Sequence, residues 1–317
     1  MTDAVSDLSR AIPKGTSLDT PFRLLCGAAA TLLLVALGGV LVSLAIGGWP
    51  AFHKFGFAFF TTSHWNPVTD VYGAAGPIVG TIVSAILALA MSLPVAFGVA
   101  VFLTEFCPPI LRKPIGVAVE LLAGVPSIVY GMWGLFVFAP FFAEKVQIPL
   151  MSAAPPGSIW ETLTSGIPNG SGVLSASIIL AIMILPYMAA MFRVLFHNTP
   201  PPLRESAYAL GATPLEVVMS VTLPHVRRSA VGAVMLGLGR ALGETMAVTF
   251  IIGNAHGFPK SLFDSGSTIA STIANEFAEA TSDMHTSALV ALGFVLFLIT
   301  FSVLAIARAL LGSAKEV

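Results

Sequence analysis

Charge is what this chain has least of: Asp, Glu, Lys and Arg make up 10% of its 317 residues, against about a quarter in soluble domains. A soluble globular enzyme is excluded on that ground. The net charge of -1 leaves no basic surplus to draw the chain to nucleic acid. Two cysteines, Cys26 and Cys107, give no disulfide framework. Six histidines, at 53, 64, 197, 225, 256 and 285, show no metal-ligand spacing. No Gly-Lys-Ser/Thr occurs, so there is no Walker A loop and no ATP site of the chain's own. Neither a Ser/His/Asp set nor paired carboxylates have a spacing that proposes an enzyme. The stretch Gly237 to Gly243 imitates a dinucleotide fingerprint but lies within an apolar run and follows no strand. Internal repeats and a soluble domain are also missing.

What is present is apolar sequence, 56% of the chain. A bilayer core of about 30 Å takes roughly 20 apolar residues per helix. Six runs qualify, about 22–47, 78–103, 115–138, 173–196, 229–252 and 287–311. The expected fold is all-α, a polytopic transmembrane bundle of six spans. Residues 1–20 form a polar cytoplasmic N-terminal tail and 21–317 the transmembrane domain. The first run is too long for a signal-peptide core and reads as a retained helix.

Six spans put both termini on one side. That side carries eleven Lys and Arg (Arg10, Lys14, Arg23, Arg112, Lys113, Arg193, Arg204, Arg227, Arg228, Arg308, Lys315) against three (Lys54, Lys145, Lys260), with Arg240 inside a span. The positive-inside rule therefore predicts cytoplasmic termini. Of the outside loops (48–77, 139–172, 253–286), the first is rich in aromatics, among them Trp49, Phe57, Phe59, Trp65 and Tyr72. These read as an interfacial belt, with contact to an external partner as the alternative. Asp264, Glu276, Glu279 and Asp283 read as a solvated face. Pro94, Pro126 and Pro186 interrupt spans, and Gly76-x-x-x-Gly80 and Gly239-x-x-x-Gly243 permit close helix approach.

Two places carry chemistry. On the inner loop 197–228, three prolines (200–202) precede a helical spacing from Leu203 to Leu210. Gly211 ends it, and Thr213-Pro214 opens a second short helix. The result is a compact knob with an apolar face (Leu203, Ala207, Leu210, Leu215, Val218). It suits either a groove on a partner or the lipid surface. The second place is Arg240, about 16 Å into the fifth run at the usual helical rise, with Glu244 four residues on and Thr245 beside it. Both charges would share a helix face and could pair. An intramembrane charge usually faces a bundle interior or a water-filled path. Two readings stand: an anion gate, in which the Arg240 fork suits oxyanions, or a structural ion pair.

The wording Glu205-Ser206-Ala207, with Gly211 four residues after Ala207 and the closing Leu223-Pro224, resembles the "EAA" loop of bacterial ABC importer permeases. From about Phe57 onward the chain is similar to the permease subunits of phosphate-specific importers, the PstC type. Trp65-Asn66-Pro67, Gly76 to Thr81, Glu120 to Gly131, Glu205 to Pro224 and Gly239 to Val248 carry the resemblance. Ser206 stands where the family often has alanine. The resemblance implies a MetI-like fold, no cofactor and no metal. Its implied partners are a PstA-type permease, two PstB-type ATPases and an external PstS-type phosphate-binding protein. It places ATPase coupling at Glu205, Ala207, Gly211, Leu223 and Pro224, and the substrate path at Arg240, Glu244 and Thr245. Sequence physics alone reaches only "anion": sulfate or molybdate transport, a membrane-embedded enzyme and an ATP-independent channel stay open at this point.

Overall fold

The structure, a computed structural model, describes residues 19–312. The tail expected over 1–20 lies outside them apart from Asp19 and Thr20, which already belong to a helix; Arg10, Lys14 and Lys315 also lie outside. The chain divides into two compact units, 1–46 and 47–317. The described residues of the first are a single apolar helical stretch, the start of α1 (Asp19–Phe55), with no buried residue before Gly48.

In the second unit the end of α1 meets the last long helix. The elements between are α2 (Ala58–Thr61), α3 (Ala75–Val101), α4 (Pro109–Ala123), α5 (Ser127–Ala153), α6 (Ile159–Thr164), α7 (Val173–His197), α8 (Pro201–Ala209), α9 (Pro214–Val217), α10 (Leu223–Leu242), α11 (Met246–Ile251) and α12 (Ile269–Glu276), closed by α13 (Asp283–Gly312). All are helical, as apolar sequence that must satisfy its own backbone in lipid requires.

Two of the six expected spans take a different form. The run 115–138 is not one helix: α4 stops at Ala123 and Pro126 starts α5, which continues to Ala153. Proline lacks the amide that a helix interior needs, so it serves as an end and a beginning. The run 229–252 is α10 and α11, separated at Gly243, Glu244 and Thr245. Among the described residues five helices are long and apolar enough to span by themselves: α1, α3 with its extension to Phe106, α5, α7 and α13. Pro94 and Pro186 lie inside unbroken helices.

The wide π-turns share one cause. Segments Gly134–Phe138, Ala143–Gln147 and Val218–Thr222 each end two residues before a proline, Pro140, Pro149 and Pro224. A helical proline clashes with the carbonyl four residues back, and in each case that carbonyl lies in the widened turn. A fourth, Phe102–Phe106, is followed by Cys107-Pro108, where the backbone becomes extended and the helix ends.

The bundle is centred on α7, the most buried span. It lies along a seam of small buried residues on α3, Ala85, Ala88, Ser92, Ala96 and Ala100, which let the two backbones approach. A second cluster joins the end of α1 to α13. There Ser287 Oγ donates to Gly47 O at 2.8 Å and accepts from Ala51 N at 3.1 Å.

Of the two small-residue pairs, Gly76 and Gly80 are the ones under close approach, and what they approach is a loop. A Cβ on Gly76 would stand 2.3 Å from His256 O, and one on Gly80 2.0 Å from Ser267 O. Thr81 Oγ1 accepts from Ile269 N at 2.9 Å and fixes the same segment. Gly239 and Gly243 meet nothing nearer than 3.6 Å. Gly80→Val should therefore lower the thermal midpoint of the purified protein, at an overpacking cost of about 1–3 kcal/mol. Gly98→Ala, with nothing within 4 Å of the added carbon, should leave it equal or slightly higher. Equal midpoints for Gly80→Val and the native chain would contradict this packing.

Candidate functional site: a coupling knob and a broken helix bearing Arg240

The knob forms from the residues the spacing singles out. Pro201 and Pro202 occupy the first turn of α8, where a missing amide costs nothing. The chain reverses at Gly211, whose φ of +88° suits glycine. Thr213 then caps α9 in a capping box: Glu216 N donates to Thr213 Oγ1, and Thr213 N donates to Glu216 Oε2 at 2.7 Å. From α9 the backbone passes through the π-turn at Val218–Thr222 into α10, whose first residues are Leu223 and Pro224.

Glu205 and Gly211 are exposed and Ala207 is half-buried. Leu203, Leu210, Leu215 and Met219 present apolar surface outward. Val218, expected on that face, is instead fully buried in the bundle core. The π-turn rotates it inward and leaves Met219 in its place.

A buried carboxylate with no spacing motif around it ties the knob down. Glu105, in the π-turn that ends α3, has a side chain only 4% exposed. It accepts from Arg204 Nη2 at 2.5 Å and from Tyr208 OH at 2.8 Å. Arg204 and Tyr208 flank Glu205 and Ala207, so one face of α8 points at the bundle. A lone Glu near the end of an apolar run was the available signal.

At the far end of α10, the expected pairing of Arg240 with Glu244 does not form. The helix ends at Leu242, so the two side chains no longer share a helical face. No ion pair joins them. Glu244 turns instead to the first turn of α11 and accepts from Ala247 N at 3.2 Å. Thr245 is the N-cap residue of α11, and its carbonyl accepts from Thr249 N and Thr249 Oγ1. Arg240 is exposed, with its guanidinium 5.8 Å from the Tyr187 ring centroid on α7. Such a contact leaves the fork of donors available. The short α11 packs against α5 where Gly131 and Gly134 leave room; a Cβ on Gly131 would come within 2.9 Å of Ala247 Cα.

The loops at the opposite end hold a second polar cluster, and two expectations fail there. The aromatics of 48–77 are not all an interfacial belt: Phe59, Trp65 and Tyr72 are buried, though Trp49 and Phe57 are exposed. Nor is Glu276 on a solvated face. It accepts from Trp65 Nε1 at 2.7 Å and meets His285 Nε2 at 2.8 Å and His256 Nε2 at 3.0 Å. Tyr72 stacks on His285, and Trp65 on His256. Indole and imidazole rings are buried here because their polar edges find one shared acceptor.

These features define a class: a multi-pass helical permease with a two-helix knob at one end and no catalytic constellation among the described residues. Residues 94–314 match the family of binding-protein-dependent transport system inner membrane components. Over 293 residues the chain is 52% identical to the phosphate transport system permease protein PstC of Mesorhizobium japonicum, covering 92% of this chain and 90% of that protein. It is 47% identical to the protein of the same name from Haemophilus influenzae, covering 95% of each. A chain of a bacterial alginate ABC transporter, solved with a periplasmic protein bound to an alginate pentasaccharide, shares the fold with a TM-score of 0.58 at 17% identity. That match covers 92% of this chain and 95% of the other. The chain belongs to the phosphate ABC transporter permeases of the PstC type, within that inner membrane component family. A subunit of this family is the permease and not the catalyst, carries no cofactor, and works with ATPase subunits and a periplasmic binding protein.

The Glu276 cluster has a pH consequence. Burial raises its carboxyl, but the hydrogen bonds from His256, Trp65 and His285 outweigh burial and hold it below the usual carboxylate range. A folded-state value depressed below the unfolded one adds stability above the unfolded value, and that stability is lost as pH falls through the folded value. Protection of the 253–286 amides, taken as exchange relative to the intrinsic rate at each pH, should therefore fall once the pH drops below the ordinary carboxylate value of about 4.3. In Glu276→Gln that protection should be lower at pH 7 and nearly independent of pH in acid. Native protection that stays constant from pH 7 down to about pH 3 would contradict this assignment.

Proposed function

We propose that this permease carries inorganic phosphate into the cytoplasm along a path that passes Arg240, driven by ATPases docked on the Glu205–Pro224 knob. The observation that carries the reading is Arg240 itself: a cation that follows the uncharged stretch 229–239 of α10, exposed, and with no carboxylate partner among the described residues. An unpaired guanidinium beside membrane-spanning helices is costly unless water or an anion meets it, and its planar fork matches the oxygens of a phosphate. The family and the phosphate permeases related to this chain support phosphate as the anion.

Arg240 lies on an open edge with Leu236 and Met246, which are also exposed. A second permease of the PstA type would complete the wall there. Two PstB-type ATPases fit the knob, whose outward leucines suit a partner groove. A PstS-type binding protein would dock at the opposite end, on the loops 48–77 and 253–286. The eleven-to-three distribution of Lys and Arg puts the knob and both termini on the cytoplasmic side.

In the cycle, ATP closes the two ATPases and the knob moves with them. That motion passes into α10, which continues from the knob without a break for about 25 Å at helical rise before Arg240. The path opens outward, phosphate leaves the binding protein for Arg240, and hydrolysis resets the complex. Glu244 and Thr245 act as positioning residues, since they hold the helix break that aims Arg240.

Arg240→Gln should abolish ATP-dependent phosphate uptake in vesicles while the complex still co-purifies with its ATPase. Normal uptake by that variant, or equal uptake of sulfate and molybdate by the native complex, would overturn the reading. Separately, Gly211→Val places a β-branched residue at φ +88°, a strain of about 1–3 kcal/mol. It should lower the phosphate moved per ATP hydrolysed at least several-fold. Unchanged coupling would remove Gly211 from the route of force.

A further inference from the structure

A cavity of about 480 Å³ opens on the knob side, between the ends of α3, α4 and α7 and the coupling helix α8. Four cations line it: Arg112 and Lys113 from the first turns of α4, Arg193 near the end of α7, and Arg204 from α8. The charges in reach do not cancel. Glu120 pairs with Arg193 and Glu105 with Arg204. Arg112 and Lys113 have no carboxylate partner among the described residues; Arg112 spends one donor on Cys107 O at 3.3 Å. Two positive charges are left over in one cavity.

The donors are also placed rather than scattered. Arg193 crosses α4 at Gly116, where a Cβ would fall 1.7 Å from its Nη1, so the missing side chain is what lets the guanidinium lie there. Arg204 is held by Glu105 on α3, which fixes its side chain where it lines the cavity. The remaining wall is apolar: Val117 and Val194 are each about half exposed at the cavity's edge. A cationic base with an apolar rim, at the end of membrane-spanning helices, matches a phosphate that carries a hydrocarbon chain.

We propose that this cavity binds a phosphate-bearing anion, in the first place the headgroup of an acidic phospholipid, between Arg112, Lys113, Arg193 and Arg204. One bound phosphate would touch α4, α7 and α8 together and so fasten the coupling helix to the bundle. The site is separate from Arg240 and does not depend on the route assigned to the transported anion.

The test uses the assembled importer in a zwitterionic environment, carrying Arg240→Gln so that anions on the transport path do not contribute. Phosphatidylglycerol, phosphatidylcholine and inorganic phosphate are titrated separately, with bound lipid read by native mass spectrometry and stability by thermal midpoint. Phosphatidylglycerol should bind and raise the midpoint by several degrees, and phosphatidylcholine should not. Binding should weaken about fivefold for each cation removed, in Lys113→Gln and again in the Arg112→Gln, Lys113→Gln pair. Both residues lack carboxylate partners, so the lipid-free midpoint of the variants should stay close to that of the parent, which checks that they fold. If inorganic phosphate alone binds and the same variants abolish it, the site stands and its occupant is the free ion. Absence of binding by every probe, or equal binding by parent and double variant, overturns the proposal.

Discussion

One buried carboxylate ties the knob to the membrane-spanning bundle. Glu105 ends α3 and takes hydrogen bonds from Arg204 and Tyr208 of α8. Its side chain is almost entirely shielded. Removing one partner of a shielded pair strands the other, typically at a cost of about 3–5 kcal/mol. With the pair intact, α8 cannot swing free of the bundle. The knob therefore has two attachments: the covalent run into α10 and the Glu105 clamp on α3. A push on a knob held at one point only would be absorbed by rotation about that point. Held at two, it would pass along α10, whose far end carries Arg240 beside Tyr187 of α7.

The second constraint is the backbone itself. Helices in lipid must satisfy every amide and carbonyl internally, yet a transport path needs places where a helix can stop. In this chain proline and glycine create those places with their hydrogen bonds accounted for. The turns at 134–138, 143–147 and 218–222 widen to admit Pro140, Pro149 and Pro224. The break between α10 and α11 leaves the Ala247 amide to the Glu244 carboxylate. The same residue that was expected to neutralise Arg240 thus stabilises the interruption beside it, and Arg240 keeps its charge for something else.

The legible part of the sequence was local chemistry with a fixed spacing. The knob follows from Pro201-Pro202, Gly211 and Thr213-x-x-Glu216, because caps and positive-φ turns are decided within a few residues. The all-helical membrane class follows from apolar run length. What could not be read depends on partners distant in sequence. Glu276 looked solvated because Trp65 lies 211 residues away. Gly76 and Gly80 looked like a helix-packing pair, and only the fold reveals that they receive the loop carbonyls of His256 and Ser267. The two interrupted runs escape hydropathy, which averages across a break: Pro126 and the Gly243–Thr245 interruption are invisible in a window of twenty residues.

In the proposed cycle, ATP-driven motion enters at the knob and is held to the bundle by Glu105 on its way to Arg240. The direct measurement is the number of phosphate ions taken up per ATP hydrolysed by the reconstituted importer, native against Glu105→Gln. The account predicts that hydrolysis persists while this ratio falls several-fold, because the coupling helix then pivots without moving α3. A Glu105→Gln complex that assembles, hydrolyses ATP and keeps the native ratio would contradict it.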